Sequence, residues 1–168
     1  MPRARKKRIF GLMSPSRFIH KSHNVTVLLY HIVFSTKYRK KTLSPKVKRI
    51  LLKSCAGISE RYEIEYLEIG TDSDHIHFLV QSVPTYDVSK IVRVTKSITA
   101  RKIFEKAPGV KRALWGGEFW SDGYFANTVG KHGTERVIQD YVRNQGVEKK
   151  YENLYKSPQL TLFDSQNQ

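Results

Sequence analysis

Cysteine is nearly absent from this chain: Cys55 is the single one in 168 residues. One thiol excludes an internal disulfide framework and a cysteine-built zinc site, and it fits the reducing conditions of a cytoplasm. Any metal would have to be held by histidine, carboxylate or amide ligands. No apolar run approaches the roughly 20 residues needed to cross a bilayer, so no membrane span is expected. The basic start, "MPRARKKRIFGLMSPSRF", lacks the apolar stretch and small-residue cleavage site of a secretory leader. Internal repeats are missing as well. Acidic residues are scarce, with 15 Asp and Glu against 30 Lys and Arg, a formal net charge of +15. A field of that size draws polyanions, and nucleic acid is the commonest one; the bland alternative is a charged surface serving solubility alone.

The length suits one domain. Residues 1–23, with Arg3, Arg5, Lys6, Lys7, Arg8, Arg17 and Lys21 and no acidic residue, read as a flexible basic arm. Residues 24–151 read as the folded domain and 152–168, which include Pro158, as a flexible tail. Within the domain, "NVTVLLYHIVFST" (24–36) is rich in β-branched and aromatic residues and predicts a buried strand. Ser44 and Pro45 supply the cap and first position of a helix whose Val47, Ile50, Leu51 and Ile58 recur at helical spacing. "YEIEYLEIGT" (62–71) and "HIHFLVQS" (75–82) predict a hairpin around the polar turn "TDSD". A second helix follows over 87–109, stopped at Pro108-Gly109. "LWGGEFWSDGYFANTVG" (114–130) predicts a hairpin or a split strand around "SDG". A third helix is expected over 134–151, with Thr134 as its cap. The order β-α-β-β-α-β plus a trailing helix predicts an α+β fold, a ferredoxin-like or RRM-like antiparallel sheet with helices on one face.

Two histidines stand out against that frame. In a strand, residues i and i+2 share a face, so His75 and His77 project together while Ile76, Phe78 and Val80 turn to the helices. Two imidazoles at this spacing either bind one divalent cation or are polar residues on an exposed sheet face. On the third helix, Val137, Tyr141 and Gln145 form one stripe. A helix laid over the histidine face would bring Tyr141 and the amide oxygen of Gln145 to the same cation; otherwise Tyr141 packs and Gln145 is surface.

"YHIVFSTKYRKKTL", "DHIHFLV", "LWGGEFWSDGYFANTVG" and "YVRNQ", in this order and spacing, resemble the HUH-type single-tyrosine transposases of the smallest bacterial and archaeal insertion sequences. The resemblance runs from about Tyr30 to Gln145. His75-Ile76-His77 matches the family's His-hydrophobe-His signature and Tyr141 to Gln145 its Tyr-x-x-x-Gln. It implies that Tyr141 is the catalytic nucleophile, forming a 5′-phosphotyrosine on single-stranded DNA, with Mg²⁺ or Mn²⁺ held by His75, His77 and Gln145. It further implies substrates with hairpin ends, and a homodimer in which each site combines the histidines of one subunit with the tyrosine helix of the other. "GKHG" (130–133) places two glycines before that helix, either as a hinge for such an exchange or as a simple turn.

Candidate DNA contacts are the cluster Lys37, Tyr38, Arg39, Lys40 and Lys41, and Arg93, Lys96 and Arg101 on the second helix. Trp115, Phe119 and Trp120 would stack on bases or pack in the core. In the tail, "QLTLF" resembles the short motif by which bacterial DNA enzymes bind the replisome's sliding clamp, with Gln159, Leu160, Leu162 and Phe163 as contacts. Two other functions use parts of the same pattern: a replication initiator or relaxase of the wider HUH class, and a non-catalytic single-strand-binding module on an RRM-like sheet.

Overall fold

A computed structural model describes residues 19–129 and 152–156. Ile19–His20 (β1) pairs antiparallel with Val25–Thr26 (β2) as a small ribbon. The last residues of the expected arm are therefore built into a strand pair. The main chain of elements is Leu28–Ser35 (β3), Pro45–Arg61 (α1), Ile64–Thr71 (β4), His75–Ser82 (β5), Val88–Lys106 (α2), Pro108–Ala113 (α3), Phe125–Thr128 (β6) and Glu152–Lys156 (β7). Five strands form one sheet in the order β6-β3-β5-β4-β7, every neighbouring pair antiparallel. Its first four members have the strand order of a ferredoxin-like sheet, as the sequence predicts. β7 adds an edge beside β4, so residues 152–156 belong to the sheet and not to a detached tail; Lys48 of α1 also pairs with Glu152.

The helices form where the capping residues say they should. The Ser44 hydroxyl accepts from the Val47 N–H, with Pro45 in the first turn, and Asp87 accepts from the Lys90 N–H. Pro108 behaves differently from expectation. α2 ends at Lys106, and Pro108 then opens the short helix α3, the position where its fixed φ and missing N–H cost nothing. The segment after it is a split strand and not a hairpin. Trp120 bridges Thr36, and Phe125–Thr128 pairs with Tyr30–Val33, so both pieces lie along β3. The residues before Trp120 leave the sheet because Gly116 and Gly117 have φ of 96° and 74°, a reversal that side-chain-bearing residues resist.

Strand alternation sorts the sheet into two faces. Ile32, Phe34, Tyr66, Ile69, Ile76, Phe78 and Val80 meet Val47, Leu51, Ile58, Ile91 and Ile103 of the helices in the main core. Phe119 and Trp120 close it, with the Trp120 Nε1–H donating to Thr99 Oγ1 at 2.9 Å. These two aromatics are packing residues here, whereas Trp115 is 84% exposed. Inside that core, burial pushes the Cys55 thiol up and keeps it protonated. Leu29, Leu67, Leu79 and Val129 form a smaller apolar cluster on the opposite face. Among the described residues, no helix is long and apolar enough to cross a membrane.

Candidate metal and nucleic-acid site

The second face of the sheet carries the histidines. His75 pairs with Ser35, and His77 pairs with Val33 on one side and Gly70 on the other. Both imidazoles project from the face opposite the helices, as the strand period requires. Gly70 brings no side chain beside His77, which leaves that flank of the ring to its other neighbours.

A tight turn sets the start of β5. The Asp72 N–H donates to the His75 carbonyl at 3.0 Å, and the Ser73 N–H donates to Asp72 Oδ1 at 2.6 Å. Asp74 is buried and ties this turn to the loop after β3. Its carbonyl accepts from the Thr36 N–H at 2.9 Å and from the Thr36 hydroxyl at 3.3 Å, while Arg39 Nε donates to Asp74 Oδ2 at 2.8 Å. Burial alone would raise the Asp74 carboxyl, but the Arg39 hydrogen bond and the nearby His75 outweigh it and hold the group below its ordinary value.

His77 is 5% exposed, and its pKa is pushed down to about 3, first by burial and then by His31 and His75. At neutral pH the ring is uncharged, the state in which an imidazole ligates a cation. His75 Nδ1 lies 2.6 Å from Asp74 Oδ1, yet both atoms are buried without a well-directed hydrogen bond. A neutral buried imidazole with a second imidazole on the same strand face fits a divalent cation. Among the described residues, no group of three or more His, Cys, Asp or Glu converges to hold one. The histidines thus supply two ligands and need at least one from elsewhere. Tyr141 and Gln145 lie outside the described residues with the rest of the expected third helix (134–151), as do "GKHG" (130–133), Gln159, Leu160, Leu162 and Phe163.

Two residues on this face were not singled out from the sequence. His31 of β3 and Glu68 of β4 both lie opposite Leu79, one on each side of β5, and both are buried. His31 was legible, since it sits in phase with Leu29 and Val33 on the same strand face. Glu68 was not. Strict alternation from Ile64 and Tyr66 puts it in the core, but a bulge at Leu67 shifts the register and turns Glu68 to the histidine face. There it accepts a 2.7 Å hydrogen bond from Asn153 of β7.

The expected DNA contacts divide into committed and open side chains. Lys37 pairs with Glu118 at 2.5 Å, which holds its ammonium above the ordinary value, and with Asp122 at 3.4 Å. Lys40 donates to the Ala113 carbonyl at 2.7 Å. Lys96 donates to the carbonyls of Ser121, Asp122 and Gly123 at 2.7, 3.0 and 2.9 Å; burial lowers its pKa, opposed by Asp122. Its first task is to hold the loop between the two halves of the split strand. Arg93, Lys41 and Tyr38 are exposed, and Arg101, exposed as well, donates to Ser97 Oγ at 3.0 Å. Tyr38 and Arg39 both adopt left-handed backbone, φ 56° and 53°, a conformation that costs a non-glycine residue about 1 kcal/mol or more and is commonly kept where a surface works. On the far side of the molecule, a groove between α1 and α2 of about 660 Å³ is rimmed by Lys46, Arg49, Lys53, Arg61, Lys102 and Lys106.

Relatives give this arrangement a context. The family model described as "Transposase IS200 like" matches residues 24–145. The ISDra2 transposase TnpA of Deinococcus radiodurans is 30% identical over 118 residues, covering 70% of this chain and 84% of that protein. The transposase for insertion sequence element IS200 of Salmonella typhimurium is 32% identical over 116 residues, 69% of this chain and 75% of its own length. A crystal structure of a Deinococcus radiodurans protein assigned as a transposase superposes with a TM-score of 0.62 at 30% identity, covering 76% of this chain and 97% of that one. The fold is shared more distantly with a REP-associated tyrosine transposase bound to a REP hairpin, at a TM-score of 0.54 and 12% identity, over 77% of this chain and 73% of that one. The chain belongs to the IS200-like transposase family.

Proposed function

We propose that this transposase cleaves and rejoins single-stranded DNA at the ends of an insertion sequence, with Tyr141 as nucleophile. The observation that carries the reading is the pair His75 and His77: two imidazoles on one sheet face, one of them buried and neutral, in a basic protein of a transposase family. Tyr141 Oη attacks the scissile phosphorus and loses its proton to solvent. The bond from phosphorus to the 3′ oxygen breaks, and that oxygen takes up a proton as a free 3′-hydroxyl. The strand stays joined through a 5′-phosphotyrosine, whose phosphodiester energy lets a second 3′-hydroxyl reverse the step without ATP. His75, His77 and the Gln145 amide oxygen would hold a divalent cation, Mg²⁺ or Mn²⁺, which when bound would supply Lewis-acid polarisation of a phosphate oxygen. The sheet fixes both histidines before substrate arrives, so little ordering remains at the moment of reaction.

Recognition of hairpin ends is part of the same reading, supported by the hairpin carried by the distant structural relative. The exposed Tyr38 and Lys41 in the loop after β3 suit one stacked base and a phosphate contact. We further assign a homodimer with sites shared between subunits, and a tail (Gln159, Leu160, Leu162 and Phe163) that docks on the sliding clamp.

The test is cleavage of single-stranded oligonucleotides carrying the element's ends, labelled at either terminus. Cleavage that needs Mg²⁺ or Mn²⁺, is abolished by EDTA and is lost in His75→Ala supports the reading. Cleavage undiminished by chelator and by His75→Ala would end it. A protein that binds the strand and never cuts it would instead favour the single-strand-binding module.

A further inference from the structure

His31 and His77 come from neighbouring strands of one face, diagonal to each other: His31 pairs with Leu79, and His77 with Val33. Their nitrogens, His31 Nε2 and His77 Nδ1, are 3.4 Å apart within hydrogen-bonding geometry. The rings are within 13° of parallel and their centres are 5.6 Å apart. That separation is close to its maximum, the nitrogen contact extended by one ring radius at each end. The contact therefore runs edge to edge, nearly in one plane, which is the direction of an imidazole N–H and its lone pair and not that of a face stack. Phe125 of β6 sits edge-on to His31, its centre 6.1 Å away, and braces the ring from the far side. Both histidines are 5% exposed.

One proton has to lie in such a contact, and its owner decides which His77 nitrogen keeps a lone pair. We infer that His31 is a positioning residue for His77: its Nε2 accepts the Nδ1 proton of His77, fixing that ring in the Nδ1–H tautomer with the lone pair on Nε2. The opposite arrangement would put the His77 proton on Nε2 and spend its lone pair on His31, leaving no nitrogen to ligate. Histidine ligands to metals commonly give their second N–H to an outer acceptor, which sets ring orientation and raises basicity. A carboxylate or carbonyl usually fills that place; here the acceptor is another imidazole. The inference rests on the metal reading of the site, which is what selects His77 as the donor in this contact; the tautomer itself is measured without metal.

The test uses the full-length protein with ¹⁵N-labelled histidine, free of metal at neutral pH, followed by titration with Mn²⁺. The inference expects the wild-type His77 to show a protonated Nδ1 and an unprotonated Nε2 by long-range nitrogen–proton correlation. His31→Phe keeps the ring volume but removes the acceptor, so His77 should shift toward the Nε2–H form. Mn²⁺ affinity should then fall by roughly 10- to 100-fold. His31→Gln returns an acceptor oxygen and should recover part of both. A wild-type His77 protonated on Nε2 overturns the inference, as does a folded His31→Phe protein with unchanged tautomer and Mn²⁺ affinity. Should His31→Phe fail to fold, the wild-type spectrum and the His31→Gln protein still decide. Wild-type protein that binds no Mn²⁺ while showing the Nδ1–H tautomer would remove the metal reading and leave the proton placement intact.

Discussion

Arg39 and Asp74 are joined by a 2.8 Å hydrogen bond that clamps a left-handed loop to the turn preceding the histidine strand. With the two Thr36 bonds to the Asp74 carbonyl, it ties β3, its following loop and β5 into one frame. The loop bears Tyr38 and the turn leads directly into His75, so the clamp sets the surface expected to receive DNA against the candidate metal ligands.

That clamp predicts coupling. Arg39 is largely exposed, so the bond is worth about 1 kcal/mol or less. Asp74→Asn and Arg39→Gln should each destabilise slightly, and the double variant should lose no more than the worse single one. Urea denaturation of the four proteins measures this; additive losses would show that the two side chains do not act together.

The buried histidines give the metal-free protein a pH dependence of definite sign. The ordinary histidine value of 6.5 applies in the unfolded chain, and His77 is lowered to about 3 in the fold, with His31 lowered by burial too. Between those values the unfolded chain binds more protons, so folding stability is full above about 6.5 and falls as pH drops. From pH 7.5 to 5, His77 alone should cost about 2 kcal/mol. Denaturation in EDTA at both pH values checks it, and a loss absent from His77→Gln identifies the group. Equal stability at the two pH values would contradict a buried neutral His77.

Lys96 and the exposed arginines of α2 should separate into structure and binding. Lys96→Met strips three carbonyls of their donor and should destabilise by about 1–3 kcal/mol. Arg93→Gln and Arg101→Gln should stay within about 0.5 kcal/mol of the parent in stability. Their effect should appear in single-strand affinity, with the dependence on log salt shallower by about one for each lost phosphate contact. The reverse pattern would make Lys96 a DNA contact and the arginines structural.

The tail makes a prediction independent of the sheet. Clamp retained on immobilised protein should be lost in the Leu162→Ala/Phe163→Ala variant with cleavage unchanged. Undiminished retention would end that assignment.

Much of the fold was legible from local signals that tertiary packing did not override. Ser44-Pro45 and Asp87 start helices where capping chemistry says, and "HIHFLVQS" keeps its two faces because one of them fills the core. The failures have physical causes. Pro108 marks a boundary that sequence reads as a stop, yet the same ring suits the first turn of α3. Glu152–Lys156 lacks a strong strand pattern and forms a strand because β4 offers an edge. Of the site, His75 and His77 follow from a period of two. Glu68 does not, since a single bulged residue inverts its side. The contact of His31 with His77 depends on which strands become neighbours, and spacing along the chain carries no such information.

The central claim is that Tyr141 becomes covalently attached to DNA. Incubation of the protein with end-labelled single strands from the element's ends and Mn²⁺, then denaturing electrophoresis and mass spectrometry of the tryptic digest, tests it most directly. The account predicts a protein–DNA adduct whose modified peptide carries Tyr141 linked to a 5′ phosphate, absent in Tyr141→Phe. An adduct that persists in Tyr141→Phe, or one mapped to another residue, would contradict it.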